Sequence, residues 1–341
     1  MNTMNNTQCP ICLTEVAKED YKETYISPYN NQKYKRYECP NCDVHWWEPL
    51  KIIPEFYESE VFEAYTAFHE GIRELPEWCK PFFYLFPSKV RGRLLDVGCG
   101  DGVFLKHAKQ AGFEVWGIDF DRKSVEVARK VLNTDTIYAM SLEEFYEYAK
   151  KEGLKFDVIT FFEVLEHQDK PREFLEMVKG LLKEGGYIAG SVPNRERLLA
   201  REAEWKYLDG DFPPHHFFRF SQRSLNLLFK LSGFSEIFLY VPDYPLSLLF
   251  PTVWRKMVGN LDKNLKIKIK SWFVRDERLA AGIAVDRLDR VVSAKGSISK
   301  LLLLKMLKYA RNLMLFPFVA PYIFGRKQRG ISIYFQAMLG G

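Results

Sequence analysis

Three glycines and two aspartates fall within nine residues, LLDVGCGDG at 94–102, directly after an apolar run. Gly98, Gly100 and Gly102 follow a G-x-G-x-G spacing, which differs from the G-x-G-x-x-G of dinucleotide-binding turns. Asp101 stands where the next helix is expected to begin. Its carboxylate suits that helix end but repels a pyrophosphate that competes for the same backbone amides. The turn therefore predicts a ligand without phosphate groups.

A second group of chemically informative residues is cysteine. Four of the six cysteines form two C-x-x-C pairs, Cys9 with Cys12 and Cys39 with Cys42. Two such pairs in a reducing compartment predict a tetrahedral four-cysteine zinc site of structural function, because it leaves no coordination position open. Asp43 is predicted at the turn position where glycine is usual, and His45 is an alternative ligand. We expect Cys79 and Cys99 to be buried as small apolar residues.

These residues need elements to position them, and the chain from residue 91 supplies alternating strands and helices. Strands are predicted at 93–98, 114–119, 136–140, 156–162 and 186–192, and helices near 102–111, 122–132, 142–151 and 171–183. This alternation favours an α/β fold, a Rossmann-like doubly wound parallel sheet covered by helices on both faces. In such a sheet the ligand lies beyond the carboxyl ends of the strands.

The residues that end the predicted strands are accordingly the candidates for ligand binding. Asp96 and the glycine turn close the first strand, and Asp119 closes the second, where an acid can accept hydrogen bonds from ribose hydroxyls. The third strand ends at Ser141 and Leu142. The fourth ends in FFEVLEH, which carries Glu163, Glu166 and His167, and the fifth ends in SVPN.

In this order the motifs LLDVGCGDG, GIDFD, FDVITFFEVLEH and GGYIAGSVPN resemble class I S-adenosylmethionine-dependent methyltransferases, with the greatest similarity to ubiquinone-biosynthesis O-methyltransferases. The resemblance covers roughly residues 91–240. It implies a seven-stranded sheet and the cofactor S-adenosylmethionine, which has no phosphate. It also implies contacts of Asp96 and the glycine turn with the methionyl part and of Asp119 with the ribose. The implied cofactor-binding residues are Asp96, Gly98, Gly100, Asp119, Phe120, Ser141, Leu142 and Glu163.

The segment DFPPHHFFRFSQRSLNLLFKLSGF at 211–234 resembles the part of this family that lies over the sulfonium. It implies that His216, or less favourably His215, is the base for a hydroxyl acceptor, a role that suits a histidine. The alternative is that both histidines cap a turn or pack on aromatic rings. Glu163, Glu166 and His167 could hold a divalent metal, as in quinone O-methyltransferases, or could cap a helix and line the pocket.

The remaining sequence completes the predicted domain organisation. SEIFLYV at 235–241 predicts a sixth strand, and GISIYFQAML near the end predicts a seventh, antiparallel strand. Between them lies a long insertion. The predicted division is a zinc ribbon at 1–50, an aromatic helical lid or linker at 51–90, the methyltransferase core at 91–242, a basic helical insertion at 243–329 and the final core strand at 330–341.

The net charge of +5 is unevenly distributed, because residues 290–341 contain nine lysines and arginines and no acidic residue. Lys300, Lys305 and Lys308 share one side of a predicted amphipathic helix that Pro317 and Pro321 should end or kink. This pattern indicates contact with an anionic membrane surface, a substrate-covering subdomain or a solvated face. Nucleic-acid binding is disfavoured. Neither a secretory signal nor a spanning segment is evident, which predicts a cytoplasmic protein that can be peripheral at the inner membrane face.

The zinc ribbon followed by EPLKIIPEFYESEVFEAY resembles methyltransferases encoded with bacterial surface-glycan synthesis. That resemblance implies O-methylation of a sugar hydroxyl on a glycan or lipid-linked glycan intermediate. The alternative acceptors are a quinone-like phenol, a lipid and the carbon of a nucleotide sugar. A non-catalytic zinc-ribbon binding module with a vestigial core is a further alternative.

Overall fold

The computed structural model describes residues 6–53, 74–198, 211–257 and 298–340. The chain divides into two compact units, Met1–Pro242 with Ile331–Gly341, and Asp243–Gly330. Most of the predicted aromatic lid, residues 54–73, lies outside the described residues.

The N-terminal part of the first unit is a small antiparallel module. Strands β1 (Asn6–Gln8) and β2 (Glu15–Ala17) form a hairpin. Strands β3 (Glu23–Ile26), β4 (Lys33–Glu38) and β5 (His45–Glu48) form a second sheet, which the later strand β11 (Phe218–Arg219) joins beside β5. Buried aromatic rings fill its interior, among them Tyr37, Trp46 and Trp47. Because so small a module has little apolar area to bury, a bound metal is the usual means of holding it together.

The larger part of this unit is a seven-stranded sheet. Its strands are β6 (Gly92–Val97), β7 (Phe113–Asp119), β8 (Ile137–Ala139), β9 (Phe156–Phe162), β10 (Leu182–Pro193), β12 (Phe234–Tyr240) and β13 (Ser332–Leu339). The spatial order is β12-β13-β10-β9-β6-β7-β8, and β13 runs antiparallel to both of its neighbours. The predicted Rossmann-like sheet with a reversed last strand is thereby confirmed.

Helices cover both faces of this sheet. They are α1 (Lys80–Leu85), α2 (Val103–Gln110), α3 (Arg122–Leu132), α4 (Leu142–Lys151), α5 (Pro171–Leu181) and α6 (Gln222–Leu231). Neighbouring residues of β6 point to opposite faces, so that Leu94 joins the core under α2 and α3 while Leu95 joins the core under α4 and α5. Asp121, Ser141 and Ser221 cap the helices that follow them.

The second unit contains α7 (Leu246–Met257) and α8 (Ile298–Gly325) in its described residues. Of the two effects predicted for Pro317 and Pro321, ending the helix is wrong, since α8 runs through both, and a kink stays a prediction. Leu315 and Val319 flank Pro317 and are fully buried, and this burial offsets the missing backbone donors. None of the described helices is long and apolar enough to cross a membrane.

Candidate active site

The glycine turn follows β6 and is held against the end of β7. The amides of Gly98 and Cys99 donate to the Ile118 carbonyl at 2.8 and 3.0 Å. Gly98 has a φ of 76°, and a Cβ there would lie 2.7 Å from a methyl group of Val164, so the position requires glycine. Asp101 is buried and its Oδ1 accepts from the Val103 amide at the start of α2. This carboxylate occupies the helix terminus that a phosphate would need, as the sequence predicts.

Two acidic side chains border this turn. Asp119 lies at the end of β7, where its Oδ2 accepts from the Gly100 amide at 2.8 Å and its Oδ1 from the Asp121 amide at 2.9 Å. Asp96 is 3% exposed, and its Oδ1 accepts from the Thr160 hydroxyl at 2.7 Å. Burial raises the pKa of Asp96 to about 8, with the nearby charge of Asp119 adding to the effect and the Thr160 hydrogen bond opposing it.

The other predicted cofactor residues lie at neighbouring strand ends. Phe120 follows Asp119 and is 47% exposed, so its ring is accessible at the edge of the sheet. Ser141 caps α4, because its hydroxyl accepts from the Glu144 amide while the Glu144 carboxylate accepts from the Ser141 amide. Leu142 is buried. The Ser141 side chain is thus engaged in capping α4.

Glu163 ends β9 in a left-handed conformation, with a φ of 55°. Its Oε1 accepts from the Ser191 hydroxyl at 2.7 Å, and its amide donates to the Ser191 carbonyl. Burial raises the pKa of Glu163 to about 7, against the opposing hydrogen bonds of Ser191 and Ser332. These bonds hold the Glu163 carboxylate toward β10.

Three histidines meet near the end of strand β9. His167 comes from the 3₁₀ turn Leu165–His167 after β9, whereas His215 and His216 come from the segment after residue 210. The three rings are mutually 4.5 to 4.6 Å apart between centroids. Nδ1 of His167 donates to the His215 carbonyl at 2.6 Å, which fixes the tautomer with Nε2 as the acceptor nitrogen.

Two carboxylates flank the histidine cluster. Oε1 of Glu166 lies 3.8 Å from Nε2 of both His167 and His216, and Oδ1 of Asp211 lies 3.7 Å from Nδ1 of His216. Glu166 is fully buried, and within the described ranges neither of its carboxylate oxygens has a hydrogen-bond partner. Asp211 also pairs with Arg197.

The environment of the cluster shifts its ionisation. Burial raises the pKa of Glu166 well above its usual range, and the charge of Glu163 adds to this. Burial also lowers the pKa of His167 to about 3 and lowers that of His216. Burial alone would raise the pKa of Asp211, but the neighbouring His216 ring and the charge of Arg197 outweigh burial and lower this pKa to about 2. Without a cation, the cluster therefore favours neutral histidines.

The four predicted zinc ligands converge in the N-terminal module. Sγ atoms of Cys9 and Cys42 are 3.5 Å apart, and those of Cys12 and Cys39 are 3.4 Å apart. All four Sγ atoms lie within 4.8 Å of one another. Asp43 has the left-handed conformation expected of it, with a φ of 67°. This donor set fits a tetrahedral zinc ion. His45 instead contacts the Arg36 guanidinium through Nδ1 at 2.9 Å.

The module is joined to the histidine segment by a strand that the sequence does not reveal. Strand β11 (Phe218–Arg219) pairs with β5, and the Trp47 amide donates to the Phe217 carbonyl at 3.0 Å. On the other side, the Phe217 amide donates to the Glu166 carbonyl at 2.9 Å. We call Asp211–Arg219 the histidine segment. It is held between the cysteine module and the end of β9.

Side-chain contacts reinforce this junction. Nη2 of Arg195 pairs with Asp43 in the second cysteine turn at 2.7 Å. The Phe212 ring stacks on Tyr25, with centroids 4.5 Å apart, and the Arg219 guanidinium lies 5.1 Å from the same ring. Asp211 directly precedes the histidine motif and flanks the histidine cluster, a position that the sequence does not predict.

Comparison with protein families matches residues 68–237 to the model of a methyltransferase domain. The ubiquinone biosynthesis O-methyltransferase of Bordetella avium is 35% identical over 153 residues, which cover 45% of this chain and 57% of that protein. The mitochondrial enzyme of the same name from Schizosaccharomyces pombe is 35% identical over 113 residues, 32% of this chain and 40% of that protein. The aligned part thus spans about half the length of these relatives.

Among solved structures, phosphoethanolamine N-methyltransferase 2 of Haemonchus contortus in complex with S-adenosyl-L-methionine aligns with a TM-score of 0.49 and 14% identity. The alignment covers 89% of this chain and 70% of that chain.

Proposed function

Because the chain carries a class I S-adenosylmethionine-dependent methyltransferase domain, we propose that it moves the methyl group of this cofactor to a hydroxyl oxygen of a glycan or lipid-linked glycan intermediate. The observation that carries the proposal is the histidine cluster, flanked by Glu166 and Asp211, beside the strand ends of a methyltransferase sheet. A hydroxyl must lose its proton to be methylated, and this cluster offers the groups for that step.

The proposed cofactor contacts follow the strand ends. Asp119 binds the ribose hydroxyls, while Asp96 and the turn of Gly98 and Gly100 face the cationic methionyl part. Phe120 lies against the adenine ring, whose edge meets the backbone of Ser141 and Leu142, and Glu163 lines the floor of the pocket. Two carboxylates near a sulfonium and an ammonium group favour the cofactor electrostatically.

Replacing Asp119 with alanine should weaken S-adenosylmethionine binding at least about tenfold, or about 1.4 kcal/mol, because the ribose loses its acceptor and the Gly100 amide its partner. Calorimetric titration of the cofactor and its demethylated product measures this change. Asp135→Ala, which changes an acid in the α3–β8 loop, is the matched control and should bind as the wild type does. Equal affinities of all three proteins would contradict the assignment of the ribose site.

Cofactor affinity should rise with pH because of Asp96. Its pKa of about 8 means that the carboxyl is mostly protonated at neutral pH, whereas the cationic cofactor binds the ionised form more tightly. Binding therefore releases protons, and affinity should rise by up to about tenfold per pH unit below pH 8 and level off above it. Calorimetry in two buffers of different ionisation enthalpy measures the released proton. Asp96→Asn should abolish the release, and an unchanged release in that variant would assign the proton elsewhere.

For the acceptor, we place activation of the hydroxyl at His216 and His215, with His216 preferred as the sequence predicts. Asp211 lies 3.7 Å from Nδ1 of His216 and stabilises a positive charge on that ring. Zinc held by the four cysteines is proposed to be structural, because it keeps the histidine segment in place through β5 and β11.

The second unit supports a lipid-linked acceptor. Helix α8 exposes a row of large apolar side chains, each more than half exposed, namely Leu302, Met306, Tyr309, Leu313, Phe316 and Phe324. The helix contains lysines and an arginine but no acidic residue. An exposed apolar row beside cations fits the surface of an anionic membrane, where the acyl chains cover the row and the headgroups meet the cations.

Flotation with vesicles tests this contact. The protein should float with anionic vesicles and much less with neutral ones, because each lysine near the surface contributes about 1 kcal/mol. The triple variant Lys300→Glu/Lys305→Glu/Lys308→Glu should remain in the dense fraction. The control is Lys106→Glu/Lys109→Glu/Lys130→Glu, which makes the same charge change on helices α2 and α3, and it should float. Equal flotation of the three proteins would exclude a role of α8.

The acceptor class is tested by incubating the protein with methyl-labelled cofactor and chosen acceptors. Transfer to a polyprenyl-linked oligosaccharide, in an alkali-stable ether linkage, supports the proposal. The second candidate is a quinone-like phenol, which the relatives named for ubiquinone biosynthesis favour, and preferential labelling of a catechol would select it. Labelling of a nucleotide-sugar carbon, or a protein that binds no cofactor, would reject both.

A further inference from the structure

The metal ligands predicted from the sequence, Glu163, Glu166 and His167, do not form one site. The Glu163 carboxylate is held toward β10 by the Ser191 hydroxyl at 2.7 Å. Among the described residues, the ligand atoms that do converge outside the cysteine cluster belong to His167, His215 and His216, and they lie within 4.8 Å of one another. The donor set is therefore rich in nitrogen and comes from two separate segments.

We infer that His167, His215 and His216, with the adjoining Glu166 carboxylate, bind a divalent transition-metal ion that holds the acceptor hydroxyl. The inference rests on the proposed function and deepens it, because it makes His216 a metal ligand in place of the free base predicted from the sequence. An ion at this position supplies Lewis acidity, which lowers the pKa of a bound hydroxyl.

The histidine rings are oriented as metal ligands. Nδ1 of His167 donates to the His215 carbonyl, and Nδ1 of His216 faces the Asp211 carboxylate. In both rings Nε2 is thereby turned toward Glu166. Metal-binding histidines almost always donate their other ring nitrogen to a carbonyl or carboxylate, which fixes the tautomer and raises the basicity of the ligand.

The buried carboxyl group of Glu166 also favours a bound cation. This side chain is 0% exposed, and its oxygens have no hydrogen-bond donor among the residues that the structure describes. A buried carboxyl group without donors is costly in either protonation state, and a cation between Glu166 and the rings of His167 and His216 removes that cost. Oε1 of Glu166 lies 3.8 Å from Nε2 of both His167 and His216, so this carboxylate is the negatively charged group next to the ion.

The donor types select the metal. Three imidazole nitrogens and one carboxylate favour zinc, iron(II), cobalt or manganese over magnesium, which prefers oxygen ligands and retained water. Two nitrogens bound to one zinc ion at about 2.0–2.1 Å are about 3.4 Å apart. Nitrogens within 4.8 Å reach that spacing by small rotations of the rings. Sequence reasoning on Glu-x-x-Glu-His alone predicts an oxygen-rich site and misses this preference.

The test is the metal content of the full chain produced in zinc-supplemented and cobalt-supplemented medium. The wild type should hold about two ions per chain, one at the cysteines and one at the histidines, and His215→Ala/His216→Ala about one. With cobalt, the difference spectrum between the two proteins should contain weak visible bands of a nitrogen and oxygen site. The sulfur-to-metal charge-transfer bands of the cysteine site should be the same in both proteins and therefore cancel in this difference spectrum.

A second variant and a control keep the result interpretable. Glu166→Gln preserves the volume of the side chain and should weaken metal binding at the histidines by about 10–100-fold. His107→Ala, which removes a histidine on α2, should retain both ions. Cofactor titration on the same samples shows that the core is folded.

Each outcome decides something different. A loss of one ion in the double variant, with cofactor binding intact, supports the metal site. Equal metal content and equal cobalt spectra in all four proteins overturn it, and cofactor binding by those proteins would leave the proposed methyl transfer standing. A histidine-bound ion in a protein that binds no S-adenosylmethionine would instead overturn the proposed function while the metal site remains.

Discussion

Replacing Cys42 with serine is expected to release the metal of the cysteine cluster and reduce methyl transfer more than about 100-fold, with cofactor binding retained. Cys42 is fully buried and its Sγ lies 3.5 Å from that of Cys9. Structural zinc contributes about 10–16 kcal/mol to the folding of small domains that depend on it, so loss of one thiolate unfolds such a module.

Loss of the metal should slow methyl transfer because the cysteine module holds the histidine segment in place. Strand β5 pairs with β11 through Trp46 and Phe218, and the Trp47 amide bonds the Phe217 carbonyl. When β5 unfolds, these bonds are lost, and the histidine segment keeps the Phe217–Glu166 backbone bond and the Asp211–Arg197 ion pair. Displacement of an acceptor-binding group by about 1 Å can cost about 100-fold in rate. The glycine turn and Asp119 belong to β6 and β7, which make no such pairing, so the cofactor site persists.

Measuring the zinc content, cofactor affinity and initial rate of the same sample distinguishes an effect on the cysteine module from an effect on the cofactor site. Cys79→Ser is the matched control, since Cys79 is also buried but lies outside the cluster, and it should retain zinc and most of the rate. A Cys42→Ser protein that lacks zinc yet transfers methyl groups at the wild-type rate would show that the module does not position the histidines.

The core of the fold could be predicted from the sequence because local signals and tertiary structure agree there. Strand β9 (Phe156–Phe162) was predicted with the same bounds, as a short apolar run between polar segments. Asp119 is predicted at a strand end because it closes the run EVWGID, and the structure puts its carboxylate against the Gly100 amide. The three turn glycines have positive φ values, which glycine adopts without a steric penalty.

Features that depend on contacts between distant segments could not be predicted. The two-residue strand β11 has no pattern of its own and exists because β5 offers a free edge to it. The direction of the Glu163 carboxylate is set by Ser191, which lies one strand away. The Glu166 carboxylate comes beside the His216 ring only when the segment after residue 210 packs against the end of β9. Helix α8 continues through two prolines because burial of its flanking residues outweighs a local rule.

Replacing His216 with alanine should lower kcat by about 10²–10⁴-fold, the range for loss of a group that removes or polarises the reacting proton. The dissociation constant of S-adenosylmethionine should stay within about twofold, since His216 contacts Glu166 and Asp211 and none of the acids at the glycine turn. Asp211→Asn keeps the ring but removes the charge beside Nδ1, so a smaller loss of about 10–100-fold is expected. Both effects should be in kcat, because the interactions concerned strengthen as the hydroxyl loses its proton.

The kcat of the double variant His216→Ala/Asp211→Asn distinguishes a shared function from two independent contributions. If Asp211 acts only through His216, the double variant should be no slower than His216→Ala alone, as for residues that work as one unit. Multiplying losses would mean that Asp211 contributes separately, for example by holding Arg197. His107→Ala, remote from the cluster, should match the wild type in rate and affinity. A His216→Ala protein with full kcat would remove the histidine cluster from the reaction and leave only the cofactor half of the site assigned.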